Sequence, residues 1–519
     1  MRFISIVAAF VIVSFSATGV LSQGKSDKFV RDELLIKLDS SRAASRAVAK
    51  ITDEGANVVE TLADLGWKRI RVPAGLSVEE AIARFRTFDG VSAVQPNYYY
   101  HLLATPNDPQ FPDNGMWGMR KISAPAAWDL STGSPVVVVA DIDTGLRYTH
   151  EDIAANAWTN SGETPNNMID DDNNGFVDDY YGYDFRFNDS DPVDDTTGFG
   201  GHGTHTAGTI GAVGNNGVGV VGLNWNVRIM AIKIYSPAGT DTTSAMLINA
   251  YNYVRMMKNR GVNIRVTNNS YGGCNEACGY DQATKDAIDA MGDAGILNVF
   301  AAGNSGTNND VTPHYPSNYT SPSIVAVGAS DSNDNRVFNY GPISVDLAAP
   351  GSGILSTISS SNTAYGLKSG TSMATPHVTG AAALLAAHHP ALSVASLKAT
   401  LMNTVDVITA PTNWPLLVRS GGRLNVANAL QNQTVCNFNL SNQAISAITK
   451  GGYYSVDIGA APNCDYSVKS NVNWIKVSGP DTGSGNGTVS FRVGFNPTIS
   501  RIGTVTIAGQ TVTVAQSRN

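Results

Sequence analysis

Between Trp117 and Leu430 the chain repeats one pattern: a short, nearly uninterrupted apolar run, then a longer stretch with helical periodicity. The runs are SPVVVVADID, VRIMAIKIY, IRVTNNSYG, ILNVFAAGN, SIVAVGAS and VDLAAPG; among them lie GTHTAGTIGAV, SAMLINAYNYVRMMKNRG, YDQATKDAIDAMGDAG and ATPHVTGAAALLAAHHP. A strand that is apolar on both sides must be covered on both sides, and intervening helices supply the cover. The pattern therefore predicts an α/β fold, a doubly wound and mostly parallel sheet. In such sheets functional loops lie at the carboxyl ends of the strands.

Both flanks differ from this middle. Residues 1–22 combine Arg2, an apolar run and small residues before Gln23, the pattern of a secretory signal. DELLIKLDSS, RAASRAVAKITDEG, KRIRVPAG, SVEEAIARFRTF with Ser77 as N-cap, and VSAVQPNYYYHLL predict a compact α+β unit over 23–104. The Pro/Asn/Asp-rich TPNDPQFPDNG opens the middle domain, 105–433. After NALQNQTVC, residues 434–519 are rich in Ser, Thr, Asn and Gly, with alternating strands such as GTVSFRVGF, and predict an all-β sandwich.

A net charge of −8 and a charged fraction of 15% exclude the strongly basic surface of a nucleic-acid binder. Once the leader is removed no segment is apolar enough to span a membrane, and a secreted monomer is expected. Four cysteines in an exported chain read as two disulfides, most simply the local pairs Cys274–Cys278 and Cys436–Cys464.

KSGTSMATPHVTG raises the question of chemistry. Ser372 opens an Ala-rich helix, where free N–H groups and the positive dipole end favour a developing oxyanion. His377 follows five residues later, about 140° around the helix, and so points away. A base must come from elsewhere: GGHGTHTAGT offers His202 and His205. VVVVADIDTG offers Asp141 and Asp143, which share a strand face, so periodicity does not choose between them; Asp143 is nearer the strand's carboxyl end. AAGNSG ends another run with Asn304, whose amide could donate to an oxyanion.

ADIDTG, GGHGTHTAGT, AAGNSG and SGTSMATPHVTG, in this order, resemble the signatures of the subtilisin-like serine proteases over Thr105–Leu430. The resemblance implies a serine endopeptidase acting on protein or peptide substrates. Asp143 would orient the base, His202 would act as base and acid, Ser372 would be the nucleophile, and Asn304 would serve the oxyanion. Ser270, Tyr271 and Gly272 would pair with extended substrate, and Gly303 would line the primary specificity pocket. Asp141 departs from the aliphatic residue usual in the family. Residues 24–104 resemble subtilase propeptides, which implies a self-processing preproenzyme inhibited by its own propeptide and cleaved between His101 and Thr105.

Structural Ca2+ is the implied cofactor. Resemblance to thermitase-like members places Asp108, Asp152 and Asn216 in one site, and Asp184, Asp189 and Asp191 in a weaker one. IDDDNNGFVDD sets Asp170, Asp172, Asn174 and Asp178 at alternate positions of an EF-like loop, although Tyr181 stands where its closing glutamate would be. The last domain resembles BACON-type modules, which implies a glycan or surface ligand; Trp474 reads as core in preference to a sugar platform.

Overall fold

The computed structural model describes residues 29–39, 42–62, 65–99, 105–112, 116–195, 197, 200–273, 280–497 and 499–517. The expected leader 1–22, the Cys274–Cys278 pair and the processing segment from His101 to Ala104 lie outside them. The chain divides into two compact units, Met1–Leu102 and Leu103–Asn519.

The first unit is an antiparallel four-stranded sheet in the order Asn57–Leu62, Trp67–Arg71, Phe29–Leu38, Val91–Tyr98. Its core joins Leu34, Ile36 and Ile70 of the sheet to Ile51, Ala81 and Phe85 of the helices Arg42–Asp53 and Val78–Phe85. The second helix starts as its sequence requires. The Ser77 hydroxyl accepts from Glu80 N–H, and the Glu80 carboxylate accepts from Ser77 N–H.

In the second unit a ten-stranded sheet is parallel through its centre. Gly133–Asp143 lies between Ile264–Asn269 and Asn226–Lys233. Val137 and Val139 of this strand pack on one face with Ala207 and Ile210 of the helix His202–Gly211 and with Ala374, Val378 and Leu385 of the helix Thr371–His388. Val138, Ala140 and Ile142 face the other way, onto Tyr251 and Val254 of Ser244–Asn259 and Ile288 of Gln282–Asp293. The doubly covered sheet expected from the apolar runs is thus observed. Strand alternation then puts Asp141 and Asp143 on the face that carries the helices of His202 and Ser372.

Residues beyond 434 form a four-stranded and a five-stranded sheet around one core that includes Val456, Phe491, Val505 and Val514. Their pairing is antiparallel except for Ala444–Ala447 beside Gln510–Gln516. Cys436 and Cys464 are disulfide-bonded. Trp474 is half-buried against this core, and the Arg501 guanidinium lies 4.1 Å over its ring.

Candidate active site

Asp143 ends its strand at the carboxyl edge of the sheet, and the helix of His202 is docked against that end by backbone capping. Thr144 Oγ1 accepts from Gly203 N–H at 2.8 Å, and Asp194 accepts from Thr204 N–H at 3.0 Å. Two of the helix's free N–H groups are thereby satisfied from outside the helix. The N-cap, Gly201, has φ +73°, a backbone that favours glycine. At Gly203 a side chain would collide with Gly145 O, so only glycine permits this close an approach.

The docking sets His202 Nδ1 2.7 Å from Asp143 Oδ1. Asp143 also accepts from Thr144 N–H at 2.7 Å and is buried. With Nδ1–H donating to the carboxylate, the neutral ring carries its lone pair on Nε2, the tautomer a general base needs. Burial disfavours the imidazolium of His202, but the Asp143 charge and hydrogen bond outweigh it, so its pKa lies above the ordinary histidine value.

His205 and His377 are structural. His205 bonds the carbonyls of Ile354 and Gly366 through Nε2, and burial lowers its pKa to about 3. His377 bonds Met373 O through Nδ1, and burial lowers its pKa to about 4. Both remain neutral at physiological pH.

Ser372 lies in the first turn of its helix, and Pro376 explains how the segment is held. Proline has no N–H, so the carbonyl of Ser372 lacks its intrahelical donor. The Ser270 hydroxyl supplies one at 2.9 Å, while the Ser372 hydroxyl donates to Ser270 O at 2.9 Å. The nucleophile candidate and the strand expected to bind substrate are therefore joined reciprocally. Asn304 lies beside them. Its Oδ1 accepts from Thr371 N–H at 2.8 Å and from the Thr371 hydroxyl at 3.0 Å. A backbone N–H can only donate, so this contact fixes the amide's orientation and leaves Nδ2 on the opposite side. Gly272 and Gly303 both lie against the ring of His314. Tyr271 turns its hydroxyl inward to Tyr251 and Asn269.

The acidic residues sort differently from the sequence expectation. Asp108, Asp152 and Asn216 converge on the loop 214–220. Asp108 accepts from Asn215 N–H at 2.7 Å, and Asp152 accepts from Val220 N–H at 2.9 Å and from the Asn216 amide at 2.8 Å. Burial raises the pKa of both acids, that of Asp152 to about 7. Two such carboxylates suit a hard divalent cation, although Asn216 turns its nitrogen toward Asp152 and its oxygen toward Val218 N–H.

In the EF-like stretch the four named residues do not share a shell. Asp170 caps Asn174 and Gly175 N–H, and Asp178 caps Asn167 and Met168 N–H. Of the four, only Asp172 joins an acidic cluster, with Glu163 and Asp179, whose ligand oxygens lie within 4.8 Å of one another. The three residues of the expected weaker site have other partners. Asp184 is paired with the buried Lys233 ammonium at 3.2 Å, so a protein cation already neutralises it. Asp189 caps Asp191 N–H, and Asp191 accepts from the Tyr148 hydroxyl.

This architecture is that of an α/β hydrolytic enzyme with its site at the carboxyl edge of a parallel sheet. Comparison with known proteins makes the assignment specific. The subtilase family profile matches residues 135–451, and a fervidolysin N-terminal prodomain profile matches residues 15–97. Thermitase of Thermoactinomyces vulgaris is 36% identical over 330 residues, 63% of this chain and 99% of thermitase. The thermophilic serine proteinase of Bacillus sp. (strain AK1) is 30% identical over 404 residues, 78% of this chain and 88% of its own. Subtilisin J of Geobacillus stearothermophilus is 28% identical over 413 residues, 78% and 93%. The chain belongs to the subtilase family and is a subtilisin-like serine endopeptidase with an N-terminal prodomain.

Proposed function

We propose that the chain is secreted as a self-processing preproenzyme and cleaves peptide bonds through Asp143, His202 and Ser372. The observation that carries this reading is the 2.7 Å bond from His202 Nδ1 to Asp143, which sets the tautomer in which Nε2 is the acceptor; for reaction the Ser372 hydroxyl, bonded here to Ser270 O, turns its proton to Nε2. Attack of Oγ on the scissile carbonyl gives a tetrahedral oxyanion. The Asn304 Nδ2–H and the Ser372 N–H, at the start of its helix, stabilise that charge. His202 then passes the proton to the leaving amine, and a water repeats the sequence on the acyl-enzyme. Substrate lies extended along Ser270, Tyr271 and Gly272, with Gly303 beside its side chain.

The segments divide as leader 1–22, inhibitory propeptide 23–104, catalytic domain 105–433 and β domain 434–519. The Arg2-plus-apolar leader and the Cys436–Cys464 disulfide support export. No helix among the described residues is long and apolar enough to cross a membrane. Structural calcium is assigned to Asp108 and Asp152, because two buried carboxylates need a cation to stay ionised. Glu163, Asp172 and Asp179 form a second candidate, whose Glu163 Oε2 is buried without a hydrogen-bond donor. The β domain is assigned a surface-binding role on its BACON-like sequence. With Arg501 over its ring, Trp474 is not a free stacking platform.

N-terminal sequencing of the full chain tests the reading. The wild type is expected to lose its first ~100 residues, a length within the usual range of a small domain, and Ser372→Ala is expected to lose only the leader and retain the propeptide. Equal processing of both would overturn it.

A further inference from the structure

Asp141 is two residues before Asp143 on the same strand face and only 2% exposed, yet it faces no cation among the described residues. An unpaired buried carboxylate costs several kcal/mol, so the position calls for an explanation.

Its hydrogen bonds reach each part of the catalytic apparatus. Asp141 Oδ1 accepts from Asn268 Nδ2 at 2.8 Å. The same Asn268 nitrogen donates to Ser270 Oγ at 3.1 Å, and Ser270 Oγ donates to the Ser372 carbonyl at 2.9 Å. Asn268 Oδ1 accepts from Thr379, two turns along the helix of Ser372, at 3.0 Å. On the other side, Thr206 Oγ1 is 3.0 Å from Asp141 Oδ2. Thr206 is one turn beyond His202 on its helix.

We propose that Asp141 is a positioning residue for peptide-bond cleavage, tying the Asp143 strand, the His202 helix and the Ser270–Ser372 segment into one hydrogen-bonded unit. The inference rests on the triad reading above.

Its protonation state bears on how it works. Thr206 Oγ1 carries one hydrogen but is within bonding distance of both Gly203 O, at 2.9 Å, and Asp141 Oδ2. A hydroxyl shared between two acceptors satisfies Asp141 only in part. We take Asp141 in its neutral form, in which the Gly203 carbonyl keeps the hydroxyl proton and Asp141 accepts from Asn268 and donates to Thr206. Burial, then the neighbouring Asp143 charge, hold its pKa well above the ordinary carboxylate value. The charged groups acting on it are Asp143 on its own strand and Asp194 in the loop before the His202 helix. The flanking strands present Ala231 and Asn268 in register with it. A neutral Asp141 leaves Asp143 as the charged partner of His202, a division of roles between two close carboxyl groups.

Asparagine reproduces this pattern, one acceptor and one donor, whereas leucine removes both. The test uses the processed full-length enzyme, with active sites counted by fluorophosphonate titration, and measures kcat and KM from pH 5 to 10 on a chromogenic peptide. Asp141→Asn is expected to stay within about threefold of wild type in kcat, with the acid limb unmoved. Asp141→Leu is expected to lose about tenfold or more in kcat with KM within about threefold, because misplaced groups penalise the chemical step. Its acid limb should also shift, since His202 is set differently against Asp143. Thr206→Val cuts the same bridge from the helix side and should lower kcat in the same direction, which keeps the test decisive if the leucine variant does not fold. Wild-type kcat in both Thr206→Val and Asp141→Leu would overturn the proposal. So would an Asp141→Asn loss as large as that of leucine. Labelling that persists in Ser372→Ala would instead refute the triad reading.

Discussion

Replacing Asp465 by asparagine should loosen the C-terminal β domain from the catalytic domain without touching the active site. Asp465 opens the strand Asp465–Ser470, next to the disulfide, and is 8% exposed. Arg419 of the catalytic domain approaches it with both guanidinium nitrogens, at 2.9 and 2.6 Å, and Lys398 Nζ lies at 2.9 Å. Asp346 completes the group at 3.4 Å from each cation. Burial alone would raise the Asp465 pKa; Lys398 and Arg419 outweigh it and hold the group well below the usual carboxylate range. Asparagine keeps the size but leaves two largely buried cations facing the single charge of Asp346. Breaking a buried pair in this way costs about 3–5 kcal/mol, and the partial exposure of Arg419 favours the lower end. Urea unfolding in a Ser372→Ala background, which prevents self-digestion, would measure it. A depressed folded pKa contributes stability above the unfolded value and loses it as pH falls through the folded one. The gap between Asp465 and asparagine proteins should therefore be constant above about pH 5 and close only in strong acid. A difference below ~0.5 kcal/mol, the scale of an ordinary surface substitution, would refute the reasoning, as would a gap that vanishes near neutrality.

Three further outcomes are expected. The raised pKa of Asp152 means the folded state binds more protons than the unfolded one between about pH 4 and 7. Stability after chelation should therefore fall as pH rises through that window, and saturating calcium should flatten the slope; a slope indifferent to calcium would contradict the site. His314→Gly should shift cleavage toward peptides with larger side chains before the scissile bond, because its ring fills the space against Gly272 and Gly303; an unchanged profile from a peptide library would show that the ring does not bound the pocket. His377→Gln should retain wild-type fluorophosphonate reactivity while His202→Ala loses it, since only His202 contacts Asp143; the reverse order would exchange their roles.

The sheet was legible because Val137–Ala140 is apolar on both faces, and a short run of that kind must be covered on both sides. Helix geometry alone removed His377. Choosing Asp143 over Asp141 depended on its place nearer the strand's carboxyl end and on the family motif, since both share a face; what separates them structurally is the Asn268–Thr206 environment, assembled from residues more than 60 positions away. Capping of the His202 helix by Thr144 joins residues 59 positions apart, and Asp194, although only ten residues before Thr204, lies in a loop whose sequence carries no pattern that aims it. Side-chain direction in the acidic loops was not legible, because spacing records which carboxylates are near in sequence, not which way they turn. Asp178 turns to cap backbone amides, whereas its neighbour Asp179 turns inward to Tyr253, Asn160 and Asn174. The pairing of Asp184 with Lys233 joins residues from two adjacent strands that no local pattern connects.

Covalent labelling addresses the central claim directly. The processed enzyme is treated with a fluorophosphonate, digested, and the modified peptide located by mass spectrometry. One adduct is predicted, on Ser372 in the peptide beginning at Ser369, and it should disappear in Ser372→Ala and in His202→Ala whose propeptides have been removed in trans by wild-type enzyme. An adduct on another serine, or one that survives in Ser372→Ala, would contradict the account.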